Sequence, residues 1–250
     1  MICTDQLQRT VRLDSVPQRI VSLVPSITEL LIDLQLGNRI VGRTKFCVHP
    51  AEVVKQIAKV GGTKQVHLDK IGALRPDLII ANKEENTRED IKQLVKKYPV
   101  WISDVPDFPT ALAMILKLGE VLERQERARE IVKKSQQKMA ALLPATSRRT
   151  AYLIWRKPYM TIGHDTYIND ILRRTGYENV FGEQTRYPQF DLDELQRRQP
   201  EIILLSSEPF PFKEKHIVEL REVFPAVPIQ LVDGEFYSWY GTRFLKASGN

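Results

Sequence analysis

The sequence predicts an α/β protein of two similar lobes with mainly parallel sheets, joined by a long central helix. Short apolar runs typical of parallel strands alternate with helical segments in both halves of the chain. A stretch of the first half recurs in the second half. Between the halves, residues 110–143 form an amphipathic segment longer than an ordinary globular helix. These observations favour two α/β lobes over one continuous sheet.

Strands and helices alternate four times in the first half. The apolar run at 19–24 stops at Pro25, after which Ser26 or Thr28 is expected to cap a helix that ends near Gly37. Strands are predicted at 9–13, 19–24, 40–43, 77–81 and 100–103, and helices at 27–36, 51–58, 68–74 and 88–97. Such alternation predicts a parallel sheet covered on both faces.

The central segment carries an apolar stripe on one face and charged residues on the other. Ile115 and Ile131 belong to this stripe, whose members recur at three- and four-residue steps. One long helix, or two helices broken near residues 123–125, would fit the pattern. Gly119 weakens a helix here without forcing it to break.

The second half repeats the pattern of the first half. Strands are predicted at 150–155, 177–180, 201–205 and 229–232, and helices at 167–174, 193–198 and 212–221. Residues 67–80 match residues 191–204 position for position, with Leu-Asp, a later Pro, and then an acid before three apolar residues. We interpret this as a duplication, although a helix–loop–strand unit gives part of the match by convergence. The predicted domains are an N-terminal lobe at 1–108, a linking helix at 109–144 and a C-terminal lobe at 145–250.

The composition excludes several classes of protein. With 250 residues, 42% of them hydrophobic, the chain can bury a core, and we expect a monomer. The net charge of +6 falls largely on the polar face of the central segment, which favours a solvated surface over nucleic-acid binding. No apolar run is long enough to span a membrane. The first residues lack the apolar region of a leader, so either a leader was removed or the protein stays in the cytoplasm.

The candidate ligand-binding residues lie in loops that should follow the carboxyl ends of parallel strands, where α/β proteins bind ligands in crevices. They are Phe46, His49, Thr63, Lys64, Asn82, Trp155, Tyr159, His164, Arg186, Tyr187, Phe236 and Trp239. Water would surround the aromatic members unless they packed between the lobes or met a ligand. The pattern therefore predicts either packing between the lobes or a planar or bulky apolar ligand held in a cleft.

No catalytic motif is present, and we expect no catalytic residues. The sequence lacks a nucleophile elbow, a phosphate-binding loop, a dinucleotide fingerprint and a zinc-protease motif. The two cysteines, Cys3 and Cys47, make neither a disulfide framework nor a metal site. No metal bound directly by the protein is predicted, but His49 and His164 come from opposite halves and are candidate axial ligands of a metallo-ligand.

Three segments together resemble a known family. The run at 17–29, the Leu-Asp-Lys-Ile unit at 68–71 with its following strand, and Asn179-Val-Phe with Arg186-Tyr-Pro resemble the helical-backbone class of ABC-importer substrate-binding proteins. The class includes binders of cobalamin, ferric siderophores and haem. The resemblance implies a class III periplasmic-binding-protein-like fold, a shallow cleft, a permease dimer as partner, no intrinsic cofactor, no chemistry and a periplasmic location.

The cobalamin-binding members of the class are the most similar. Phe46 stands where they have a stacking Tyr, Phe236 where they have a stacking Trp, and Thr63 replaces another Trp. Asp69 and Asp193 stand where the family places one acid per lobe to dock on permease arginines; helix capping is the other role considered, and both roles can hold together. The alternative function is that of a cytoplasmic carrier, sensor or metabolic protein for a cofactor or metal chelate on the same fold.

Overall fold

The structure, a computed structural model, describes residues 1–142, 144 and 146–247. The chain divides into two compact units: an N-terminal unit, residues 1–105 with 109–133, and a C-terminal unit, residues 106–108 with those from 134 onward. The domain boundaries expected from the sequence stay a prediction, and three of their end points, Leu143, Ala145 and Asn250, lie outside the described residues. Within the described part of the chain, no helix is both long and apolar enough to cross a membrane.

The N-terminal unit contains a five-stranded parallel sheet in the order β5-β4-β3-β6-β7 and a separate antiparallel hairpin, β1 with β2. The strands are β1 (Ile2–Thr4), β2 (Thr10–Arg12), β3 (Ile20–Ser22), β4 (Ile40–Arg43), β5 (Ala58–Lys59), β6 (Leu78–Asn82) and β7 (Val100–Ser103). Helices α1 (Pro25–Asp33), α2 (Ala51–Val54), α3 (Leu68–Ala73) and α4 (Arg88–Val95) connect them. Apolar side chains from β3, β6 and β7 form its core, as expected for strands buried on both faces.

Helix α1 begins differently from the sequence prediction. Its N-cap residue is Val24, which makes no side-chain capping bond, and Pro25 starts the first turn. The Thr28 hydroxyl oxygen lies 2.9 Å from the Val24 carbonyl oxygen and 3.1 Å from the Cys47 sulfur, inside the unit. The capping role predicted for Ser26 or Thr28 is therefore wrong, because Pro25 can begin the helix unaided and the buried Thr28 hydroxyl serves a neighbouring loop.

The central segment forms two helices, α5 (Phe108–Val121) and α6 (Gln125–Ala141). Glu123, between them, has a positive φ of 56°, which ends α5 in the left-handed region. A Cβ atom added to Gly119 would lie 2.4 Å from the Cβ atom of Ala128. The central segment is therefore two helices rather than one long helix. Gly119 allows the two helices to approach closely at the break.

We expect Gly119→Ala to destabilise the protein, although alanine normally favours a helix by up to about 1 kcal/mol over glycine. The new methyl group would clash with Ala128, and overpacking of this kind costs about 1 to 3 kcal/mol. Thermal unfolding of Gly119→Ala and of the double variant Gly119→Ala with Ala128→Gly measures the effect. The double variant should unfold at a higher temperature than the single variant; a single variant more stable than the wild type contradicts the close contact.

The C-terminal unit contains a four-stranded parallel sheet in the order β10-β8-β12-β13 and a small antiparallel pair, β9 with β11. The strands are β8 (Arg148–Leu153), β9 (Tyr159–Met160), β10 (Tyr177–Asn179), β11 (Gln189–Phe190), β12 (Ile202–Ser206) and β13 (Ile229–Val232). The helices are α7 (Tyr167–Arg174), α8 (Leu192–Arg197), α9 (Glu214–Val223), α10 (Gly234–Ser238) and α11 (Arg243–Lys246). The predicted α/β class with parallel sheets is confirmed.

The internal repeat has a structural counterpart. Helices α3 and α8 begin at matching residues, Leu68 and Leu192, and each is followed by a fully buried strand, β6 or β12. In the N-terminal unit β6 lies between β3 and β7, and in the C-terminal unit β12 lies between β8 and β13. The strands β3-β6-β7 therefore correspond to β8-β12-β13. The two units thus share the order β4-β3-β6-β7 and β10-β8-β12-β13 in their parallel sheets.

The aromatic run at 236–240, predicted as a loop, is largely helix α10. Phe236 is 1% exposed; its ring centroid lies 5.3 Å from that of Phe244 in α11 and 4.9 Å from that of Tyr237. Trp239 and Tyr240 are also buried. Water does not surround these rings, because α10 and α11 pack them against one another within the C-terminal unit. Their contact with a ligand stays a prediction.

Candidate functional site

The predicted ligand residues of the N-terminal unit lie in loops that follow the carboxyl ends of its strands. The loop at 44–50 follows β4, the loop at 60–67 follows β5, and the loop at 82–87 follows β6. Because β5, β4, β3 and β6 are parallel neighbours, these loops share one edge of the sheet, which we call the N-unit ligand edge.

Phe46 projects from the N-unit ligand edge. Its neighbour Cys47 is buried, with its sulfur 3.2 Å from the Thr44 hydroxyl oxygen, so the loop is anchored beside the ring. Burial raises the pKa of the Cys47 thiol, which keeps it protonated. The Phe46 ring is 49% exposed, and the Lys45 ammonium lies 4.9 Å from its centroid. The loop therefore presents a large apolar ring on a fixed backbone.

A buried amide, Asn86, joins the loops of this edge. Its Oδ1 accepts a hydrogen bond from the Asn82 backbone N–H at 2.9 Å, and its Nδ2 donates to the carbonyl oxygens of Leu23 at 3.2 Å and Thr63 at 3.0 Å. These partners follow or end β6, β3 and β5. One side chain thus links the segments that follow β3 and β5 to the end of β6.

Asn82 uses its side chain inside the unit. Its Nδ2 donates to the Ser103 hydroxyl oxygen at 3.0 Å, and its Oδ1 accepts the backbone N–H groups of Glu84 and Glu85 at 2.8 and 3.0 Å. The amide therefore shapes the loop at 82–87 rather than projecting from it. Its predicted contact with a ligand stays a prediction.

Lys64 and Glu85 face each other near this loop. Lys64 is exposed, and its ammonium donates a hydrogen bond to the backbone carbonyl oxygen of Glu84. Loss of hydration raises the pKa of the Glu85 carboxyl, an effect that Lys64 partly opposes and Glu84 reinforces. Thr63 and His49 are half-buried residues of the adjoining loops.

In the C-terminal unit, two predicted aromatic residues project into solvent. Trp155 follows β8 and is 40% exposed, and its ring lies edge-on to Phe210, 5.7 Å between centroids. Tyr187 is 37% exposed, with the Arg186 guanidinium 5.5 Å from its ring centroid. The Arg186 backbone N–H donates to Asp165 Oδ1 at 2.6 Å, which fixes the loop that carries both residues.

Two further predicted residues of this unit have defined partners. Tyr159 stacks on Phe190 at 5.8 Å between centroids, and burial raises the pKa of its phenol. His164 is exposed, and its Nδ1 lies 2.8 Å from the Gln184 carbonyl oxygen. That contact engages Nδ1 and so orients the imidazole.

Phe236 and Trp239 are held within the C-terminal unit. Trp239 Nε1 donates to Glu208 Oε1 at 2.8 Å, and the Ser238 hydroxyl donates to the same oxygen at 2.6 Å. The Lys138 ammonium lies 5.7 Å from the Phe236 ring centroid, and burial lowers its pKa. The contacts described for these two rings are with their own unit, and their stacking on a ligand stays a prediction.

Asp69 and Asp193 occupy matching places in the two units. Each lies in the first turn of its helix, α3 or α8, and each is exposed. The cap of α8 is Asp191, whose carboxylate accepts the Glu194 backbone N–H at 2.7 Å, and α3 has no side-chain cap. Capping, the alternative role considered for these acids, is therefore wrong, because another residue caps α8 and His67 stands at the cap of α3.

Sequence reasoning missed several residues that shape these surfaces: Lys45, Glu85 and Asn86. A polar loop bounded by two asparagines, Asn82 and Asn86, was the available signal for one of them, since asparagine commonly bonds nearby backbone groups in turns. Among the residues that the structure describes, no three His, Cys, Asp or Glu side chains are placed to hold a metal ion.

The chain is similar in sequence and in fold to known binding proteins. The sequence pattern of the periplasmic binding protein family matches residues 20–223. The chain is 26% identical over 242 residues to the vitamin B12-binding protein of Pectobacterium carotovorum subsp. carotovorum (strain PC1), covering 94% of this chain and 87% of that protein. Its fold matches the periplasmic vitamin B12 binding protein BtuF of Vibrio cholerae with a TM-score of 0.80 at 19% identity, covering 92% of this chain and 93% of that one. The periplasmic haem binding protein HutB of Vibrio cholerae matches with a TM-score of 0.76 at 19% identity, covering 92% and 95%.

Proposed function

The chain belongs to the periplasmic binding protein family, and we propose that it captures a corrinoid, haem or ferric siderophore for an ABC importer. In this role it binds and releases its ligand without changing it, and it needs no intrinsic cofactor. The relatives named as vitamin B12-binding proteins favour a corrinoid within this set.

One observation supports the proposal most strongly. Phe46, Trp155 and Tyr187 are large aromatic side chains that remain exposed although each lies on an anchored loop. Exposed aromatic rings on anchored loops offer surfaces on which a planar or bulky apolar ligand can pack. The residues expected to contact the ligand beside them are His49, Thr63, Lys64, Tyr159, His164 and Arg186.

The same proposal assigns roles to polar residues. His49 and His164 are candidate axial ligands to the metal of a bound chelate, since a neutral imidazole nitrogen suits cobalt and iron. Asp69 and Asp193 are proposed to dock on a basic permease surface. The protein would act as a monomer in the periplasm.

Replacing Phe46 with alanine is expected to weaken ligand binding by about 1 to 3 kcal/mol, because a stacking surface is lost. Titration with cyanocobalamin, haemin and a ferric hydroxamate measures the loss. Unfolding should change little, since the ring is half exposed. Unchanged affinity for whichever ligand binds would remove Phe46 from the site.

Phe236→Ala provides the comparison for unfolding. Because Phe236 is buried, truncating it should lower the free energy of unfolding by about 3 to 5 kcal/mol. If Phe46→Ala destabilises the fold as much as Phe236→Ala does, the exposed ring is a packing residue and the proposal loses its main support.

A further inference from the structure

The ring of Trp155 is held by a row of aromatic side chains in the C-terminal unit. It lies edge-on to Phe210, and Phe210 in turn lies edge-on to the imidazole of His216, 5.4 Å between centroids. Trp155 and Phe210 are in the loops that follow β8 and β12, which are parallel neighbours, so both loops lie at one edge of the sheet. His216 is in the first turn of α9, the helix that the second loop leads into. The exposed indole therefore rests on a ring that His216 supports.

The hydrogen bond of His216 requires a neutral imidazole. The side chain is 5% exposed, and its Nδ1 accepts the backbone N–H of Lys213, the N-cap residue of α9, at 2.9 Å. A ring nitrogen that accepts a hydrogen bond is unprotonated, whereas both nitrogens of an imidazolium are donors. Phe212 packs edge-on against the same ring, 5.4 Å between centroids. The bond that caps α9 and the rings packed beside it therefore depend on the neutral form of His216.

The charged groups that face His216 are Lys215, Arg156 and Glu219. Burial, and then the charges of Lys215 and Arg156, lower the pKa of the imidazole, while Glu219 opposes them. Arg156 follows Trp155 in the chain, and its guanidinium pairs with the Glu219 carboxylate of α9. Protonation of His216 would add a cation beside Arg156 and at the positive end of a helix, where a cation is unfavourable. The loop that carries Trp155 is thus joined to α9 twice, once by an ion pair and once through the aromatic row.

We propose that His216 is a positioning residue that, through Phe210, holds Trp155 for the ligand, and that protonation of His216 releases the indole and lowers ligand affinity. The inference rests on the proposed ligand-binding function and adds a pH dependence to it. When the imidazole gains a proton, the Lys213 N–H loses its acceptor, the first turn of α9 loosens, and Phe210 loses its fixed neighbour. Binding is therefore strongest above the pKa of His216 in the ligand-free protein and weakens as the pH falls through it.

The first test uses the ligand-free protein. The indole N–H resonance of Trp155, assigned by its absence from Trp155→Phe, is followed from about pH 8 to about pH 5, the range in which histidine changes its charge. The resonance should shift along a titration curve in the wild type and in the control His67→Gln, which removes an exposed histidine. The shift should be lost in His216→Gln, because glutamine at this position of a helix can accept the cap hydrogen bond but does not titrate. It should shrink in Phe210→Leu, which removes the aromatic link.

The second test is ligand affinity. Wild-type affinity for cyanocobalamin should fall by about three- to tenfold over the same pH range, which corresponds to the loss of one aromatic edge contact, and most of this fall should be absent in His216→Gln. A Trp155 resonance that does not move in the wild type, or a shift of full size in His216→Gln or Phe210→Leu, overturns the inference and leaves the proposed function standing. If the wild type binds neither cyanocobalamin, haemin nor a ferric hydroxamate at any pH, the proposed function itself fails, and the resonance still decides whether His216 positions Trp155.

Discussion

Reversing Asp69 and Asp193 together to lysine is expected to abolish stimulation of the importer ATPase and transport, while ligand affinity stays within about twofold. Both carboxylates are exposed in the first turn of equivalent helices, and neither residue is the N-cap of its helix. A pair of equivalent acids suits a permease that is itself a symmetric dimer. Charges at the rim of an interface mainly speed association and fix the orientation of docking. Reversing the charge of the two acids should therefore reduce ATPase stimulation and transport more than neutralising it.

The control for docking is Glu89→Lys with Glu222→Lys, two exposed acids on α4 and α9, which changes the net charge equally. This variant should retain transport. Binding of the wild-type protein to the permease should also weaken as the salt concentration rises, since exposed charges are screened. Equal loss in both double variants would indicate a general charge effect, and intact transport in the Asp69 and Asp193 variant would exclude the docking role.

Replacing Asn86 with alanine should lower the free energy of unfolding by about 3 kcal/mol, because three hydrogen bonds worth about 1 kcal/mol each, two of them buried, are lost. Ligand affinity should fall as well, since the loop at 82–87 would no longer be joined to the loop that bears Lys64 before binding. Hydrogen exchange of the backbone at residues 61–67 should become faster.

Asn38→Ala is the control for this substitution, because Asn38 is exposed in the turn before β4. Its unfolding and its ligand affinity should match those of the wild type. If Asn86→Ala loses stability but keeps full affinity, Asn86 is a residue of the core with no part in arranging the ligand edge.

The order of strands and helices could be predicted because it depends on local periodicity. Residues 67–80 and 191–204 also revealed the repeat, since matching sequence leads to matching elements. The break at Glu123 was one of two alternatives, and the close contact between Gly119 and Ala128 that accompanies it is a tertiary feature.

The site was harder to predict because its arrangement depends on distant partners. Phe236 was expected to be available to a ligand, but its burial depends on Phe244 and Lys138, which no local pattern links to it. Asn86 bonds the carbonyl groups of Leu23 and Thr63, which lie far away in the chain. Local sequence can place a polar loop at a strand end, but it does not show which of its side chains turn inward.

The most direct test of the central claim is the visible absorption spectrum of the protein purified from its own host, followed by titration of the ligand-free protein with cyanocobalamin. We expect a bound chromophore with a corrinoid spectrum and saturable binding of one cyanocobalamin per chain. A colourless protein that binds neither cyanocobalamin, haemin nor a ferric hydroxamate would contradict the claim that this chain captures such a ligand.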